Sequence, residues 1–161
     1  MMRNDAAPEG THRGETSHVQ ASARTNARLS PQEALIYAMV TTAAADRTIT
    51  QSELTRMHSL VRELPAFRGL DDSWFGREAQ ECGKILSKPE GVDKVIRLIA
   101  EALTGELREM AYALAAEVAA SDLAIKDDER SFLALLADGL QLDELVRAAL
   151  QRSAHVRHRP I

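Results

Sequence analysis

The sequence predicts an all-α fold, a single bundle of about seven helices that contains one helical hairpin twice. Three observations carry this expectation. No segment alternates apolar and polar residues with period two, so no half-buried strand is expected. Apolar residues recur at helical spacing in one segment after another from Leu35 onward. The stretch AAADRTITQSEL at 43–54 returns as AASDLAIKDDER at 119–130. Aligning residues 35–64 with 111–140 gives seven identities in thirty positions, the signature of an internal duplication. Two hairpins descended from one ancestor are expected to be related by a pseudo-twofold axis.

Residues 1–29 are rich in Thr, Ser, Asn and Arg, nearly lack large apolar side chains and show no periodicity. Such a segment cannot offset its ordering entropy by burial, so a disordered tail is expected there. The domain proper is placed at 30–154. Ser30-Pro31-Gln32-Glu33 forms a capping box with Pro at the first helical position, and Leu35, Ile36, Met39, Val40 and Ala43 line one face of the helix that follows. Thr50-Gln51-Ser52-Glu53 opens a second helix carrying Leu54, Met57, Leu60, Val61 and Leu64, which Pro65 stops. About four residues separate the two helices, which makes a helical hairpin.

A third helix after Asp71 carries Trp74, Phe75, Ala79, Cys82, Ile85 and Leu86 inward, and a fourth, from Pro89, carries Val92, Val95, Ile96, Ile99 and Leu103. Gly105 ends it. The Ala-rich stretch 106–121 and a helix over about 127–138 form the second hairpin. A final helix, about 143–154, presents Leu145, Val146, Ala149 and Leu150 to the core, and residues 155–161 form a frayed basic tail.

A length of 161 residues with 45% hydrophobic content allows one ordinary domain with its own core. The single Cys82 excludes a disulfide framework and a cysteine-based zinc site, and a reducing compartment is the natural expectation. No run approaches the length of a membrane span, and the first thirty residues lack the apolar core of a signal peptide, so a cytoplasmic protein is expected. Residues 31–146 hold 12 Lys/Arg against 21 Asp/Glu, whereas the flanks hold 8 against 3. An acidic body between basic tails suits cations better than nucleic acid, and no nucleic-acid partner is expected.

The repeated segment carries one acidic pair per copy: Asp46 with Glu53, and Asp122 with Glu129. Both pairs obey the same offset, since 122 − 46 and 129 − 53 each equal 76. Glu53 and Glu129 fall at the third position of a helix, where a carboxylate is favoured. Asp46 and Asp122 fall where a helix ends, where it is locally unfavourable, yet the choice recurs in both copies. Ile49 and Ile125, between the acids, are expected to plug each turn into the core. Two readings remain open. In one, the acids only cap helices and make Asx turns to Thr48 or Ala124. In the other, the two turns lie side by side and collect four carboxylates around a divalent cation; oxygen ligands alone favour Ca²⁺, Mg²⁺ or Mn²⁺.

The element A-x-A/S-D-x-x-I-x-x-x-E, present twice in a helical chain of this size, resembles the tellurite-resistance TerB-like family, whose fold is also seen at the start of the DjlA co-chaperone. The likeness covers about residues 29–154. It implies that Asp46, Glu53, Asp122 and Glu129 correspond to acidic residues thought to bind a divalent cation. It also implies a non-catalytic module that acts through protein contacts in tellurite and stress responses, in complexes near the inner membrane face. The Gly that commonly follows the Asp is Arg47 in one copy and Leu123 in the other. Gly suits a turn that needs positive φ, so these turns are expected to differ in shape, and Arg47 brings a cation toward the acids.

Other candidates are weaker. His58 has no partner spacing, and His155 and His158 stand beside Arg157 and Arg159, which would repel a metal ion. Cys82 reads as a small apolar side chain. Phe67, Trp74 and Phe75 could form an exposed docking site, although helical spacing accounts for Trp74 and Phe75 as core. A nucleotide loop is absent, and a metal-dependent hydrolase would need a base and an electrophilic clamp that the sequence does not offer.

Overall fold

The computed structural model describes residues 27–161. Most of the tail expected to be disordered therefore lies outside the described residues; Leu29, at its end, packs against the core. Seven α-helices follow: α1 (Pro31–Ala44), α2 (Gln51–Glu63), α3 (Asp72–Leu86), α4 (Gly91–Ala102), α5 (Glu106–Ala120), α6 (Asp127–Gly139) and α7 (Glu144–Arg157). There is no strand among the described residues, and no helix there is long and apolar enough to cross a membrane.

The caps read from the sequence are present. Ser30 Oγ accepts the Glu33 N–H at 3.1 Å, and Glu33 Oε2 accepts the Ser30 N–H at 2.8 Å. Asp71 caps α3 by accepting the Trp74 N–H at 2.8 Å. Helix α1 departs from the one-faced pattern expected of it, because every residue from Ala34 to Ala43 is buried. Its small residues, Ala34, Ala38, Thr41 and Thr42, let α3, α4, α5 and α6 approach it from several sides, and it becomes the axis of the bundle. The most extensive packing is between α1 and α5, the first helices of the two repeats.

Helices α3 and α4 meet in a turn that admits only glycine at position 91. A Cβ there would stand 2.4 Å from the Ile85 carbonyl oxygen. Arg108 ties the far end of the bundle. Its guanidinium donates to the carbonyls of Ala100 and Leu103 at 2.8 Å each and of Leu140 at 3.2 Å, filling acceptors that the ends of α4 and α6 leave open.

The aromatic residues are core rather than a docking patch. Phe67 and Phe75 are buried, and the half-buried Trp74 packs against Phe67 with ring centroids 6.4 Å apart. The ring of His58 rests on Phe75, and its Nδ1 lies 3.3 Å from Asp72 Oδ1. Burial pushes the Cys82 thiol up to about 12, so it is held as an unreactive thiol beside Thr41 Oγ1.

Two sequence expectations are corrected at α7. Leu145 is 81% exposed and Ala149 also faces solvent, while Ala154 makes the buried contact with Ala116 and Ala120 of α5. Polar contacts set this rotation: Arg147 donates to the Leu142 carbonyl at 2.9 Å and pairs with Asp138 at 3.0 Å. The helix also continues to Arg157, past the point where a frayed tail was expected.

Candidate metal centre

The two repeated turns, one joining α1 to α2 and the other α5 to α6, lie side by side. Thr50 Oγ1 donates to Asp122, 3.1 Å from Oδ1 and 3.3 Å from Oδ2. Lys126 Nζ lies 2.5 Å from Asp46 Oδ2. Thr50 and Lys126 occupy equivalent places in the repeat, since 126 − 50 equals the same 76. Each Asp thus reaches across to the residue that opens the other copy's second helix.

Between these crossings lie Glu53 and Glu129, both completely buried. Each spends one oxygen on its own helix start. Glu53 Oε2 accepts the Thr50 N–H at 2.7 Å, within a complete capping box. Glu129 Oε2 accepts the Lys126 N–H at a longer 3.4 Å, and Lys126, with no acceptor of its own, returns nothing. The other oxygen of each, Oε1, is buried with no N–H or hydroxyl donor reaching it, and the two carboxyls are near enough to share a proton between them. Native interiors rarely leave such atoms orphaned. One carboxylate oxygen from each of Glu53, Asp122 and Glu129 lies within 4.8 Å of the other two.

The electrostatics follow from this crowding. Burial, and then the hydrogen bond that a protonated Glu129 makes to Glu53, push the Glu129 carboxyl up to about 7, against the weaker opposing pull of the Lys126 N–H. Asp46 is held below the usual carboxylate range by the Lys126 ammonium and the Thr48 N–H. Lys126 is raised in turn, chiefly by Asp46 and further by Glu53 and Glu129.

Three of the four acids singled out in the sequence therefore converge, and Asp46 stands outside them, paired with Lys126. Asp46 does form the Asx turn expected of it, accepting the Thr48 N–H at 3.0 Å. The apolar plug is not found in the first turn: Ile49 is 47% exposed, whereas Ile125 packs against the core. Polar contacts among Asp46, Thr48, Thr50 and Asp122 hold that turn instead.

The glycine that Arg47 replaces would have suited its place, because Arg47 sits at φ +66° while Leu123 avoids positive φ. Arg47 is exposed and makes no ion pair among the described residues. Substituting Arg47→Gly is expected to cost nothing and to stabilise by up to ~1 kcal/mol, read as a higher midpoint in urea unfolding. A lower midpoint would show that the Arg47 side chain contributes contacts of its own.

The cation that reaches the acids is Lys126, which sequence reasoning missed. The signal was available: in the repeat, Lys126 holds the capping position that Thr50 fills in the first copy. The buried carboxylate of Glu117 was not read from the sequence either. Glu117 of α5 is met by Arg56 of α2 at 3.5 Å, by His158 at 3.3 Å and by Arg157, and the last two tie the end of α7 to the body.

An all-helical bundle whose duplicated hairpins enclose a buried acid pair defines a class of small helical domains with an oxygen-only donor set at its centre. The chain matches the family described as Tellurite resistance protein TerB over residues 32–152 and belongs to that family. No curated protein and no solved structure matches the chain.

Proposed function

We propose that this chain is a non-catalytic TerB module of the cytoplasm that binds one divalent cation between its two hairpins and uses the bound state to present a surface to a protein partner in the tellurite or stress response. The observation that carries this reading is the pair of buried oxygens that no donor from another residue reaches, Glu53 Oε1 and Glu129 Oε1, with Asp122 within reach. Two buried carboxylates with unused acceptors repel each other, and a divalent ion would both neutralise them and complete their bonding. Glu53, Asp122 and Glu129 would supply the ligands, and Asp46 would join only by giving up Lys126. The set is hard oxygen throughout, which suits Ca²⁺, Mg²⁺ or Mn²⁺. An ion gripped by residues of both turns would fix the angle between the hairpins and so gate the partner surface.

Thermal unfolding with chelator and with each ion tests this. At an ion concentration about 100 times the dissociation constant, binding adds ~2.7 kcal/mol and a clear rise in melting temperature. The Glu53→Gln, Asp122→Asn double variant is expected to lose that rise; a rise that survived in the variant would place the ion elsewhere.

One observation favours a second reading, a metal-free interaction module whose acids serve as caps. Lys126 already supplies a positive charge beside the acids, and Glu129 can hold a proton near neutral pH. On that reading melting is indifferent to all three ions.

A further inference from the structure

Helices α6 and α7 both pack on α5 but scarcely on each other. The gap between them is a cavity of about 490 Å³, within the range of small-molecule sites. Its walls are largely apolar, with the half-buried Ile125 and the exposed Ala148 facing the space above the buried Ala116 and Ala120 of α5 and Leu133 of α6. Its mouth is cationic, with Arg130 from α6 and Arg152 from α7 beside the His155 ring, and no carboxylate lines it.

The charges at the mouth are hardly neutralised. Arg152 and His155 make no ion pair among the described residues, and the one pair of Arg130 is a 3.7 Å contact with the fully exposed Asp127. This stands out on a body that holds 21 acidic residues against 12 basic ones over 31–146. An uncharged apolar ligand would gain nothing from two guanidinium groups at the mouth. A fully solvated anion would gain nothing from the apolar walls.

We infer that the cavity between α6 and α7 is a binding site for a small amphipathic anion, a hydrocarbon chain ending in a carboxylate. The chain lies against Ile125, Ala148 and the aliphatic stems of Arg130 and Arg152, and the head group takes charge-assisted hydrogen bonds from the two guanidinium groups. The site does not depend on the cation proposed above, and binding is to be measured both with chelator and with Ca²⁺.

Calorimetric titration of the full chain with decanoate, below its micelle-forming concentration, tests the assignment against decanol and decyltrimethylammonium. One decanoate per chain is expected, with both comparison ligands weaker by about tenfold or more, as the loss of a charge-assisted hydrogen bond dictates. Arg152→Gln is expected to weaken decanoate by a similar factor. Ala148→Trp, at an exposed position on the cavity wall, is expected to fill the space and abolish binding while the melting temperature of the free protein holds. Equal affinity for decanoate and decanol, or unchanged binding by the Trp variant, would overturn the assignment. So would failure to bind free decanoate in a protein that sediments with anionic vesicles or dimerises through this face, since either would give the groove to a bilayer or to a second copy.

Discussion

Replacing Glu129 by Gln is expected to stabilise the cation-free protein at pH 8, raising its melting temperature by roughly 5 °C, an unusual direction for a change at a fully buried residue. The sign follows from linkage. The folded-state value of about 7 lies above the ordinary 4.5, so between these values the folded chain holds a proton that the unfolded chain has released. Stability therefore falls as pH rises from about 4.5 to about 7 and stays at the lower level above that, a loss on the order of 2 to 3 kcal/mol. Below pH 4.5 both states are protonated and the effect vanishes. Gln cannot ionise, and its carbonyl oxygen can still accept the Lys126 N–H. Wild type and variant are thus expected to converge at pH 5 and diverge at pH 8 in thermal unfolding. A variant less stable than wild type at pH 8 would mean that the ionised carboxylate is compensated by something other than a proton.

Glu117→Gln is expected to act in the opposite direction, with a loss of about 2 to 4 kcal/mol, because it leaves two guanidinium groups and the His158 ring around a neutral amide. Arg56 and His158 are themselves mostly covered, so solvent recovers only part of that loss. The damage is expected to concentrate in α7, whose other buried anchor is the small patch of Ala116, Ala120 and Ala154. Hydrogen exchange is expected to show the last turns of α7, through Arg157, losing protection well before α1 and α5. Uniform loss of protection across all helices would mean that α7 unfolds only with the whole bundle.

The legible parts of this fold share a physical feature: their signals are local. Capping boxes at Ser30 and Thr50, the Pro65 stop and the Gly105 break each act within four residues, and the structure has helix boundaries at all of them. Burial of α1 on all sides was not legible, because Ala34, Ala38, Thr41 and Thr42 carry little apolar weight and matter by being small. The outward rotation of Leu145 was illegible for a related reason: Arg147 and its partners decide it, and they lie on other segments.

At the candidate site, the duplication correctly brings the two turns together, since copies of one hairpin tend to pack through equivalent surfaces. It could not say which acids would meet. The exchange of Asp46 with Lys126 and of Asp122 with Thr50 depends on side chains 80 and 72 residues apart, for which no local pattern exists. Only after that exchange is Asp46 spent, leaving Glu53, Asp122 and Glu129 as the group.

The buried carboxyl pair of Glu53 and Glu129 is best tested by calorimetric titration of Ca²⁺ and Mn²⁺ into chelator-treated protein at pH 7, repeated in buffers of different ionisation enthalpy. One ion per chain is expected, with release of a fraction of a proton as Glu129 ionises on binding, so that the measured heat varies with the buffer. Heats no different from dilution for both ions would contradict the account and leave a helical module whose buried pair is neutralised by a proton and by Lys126.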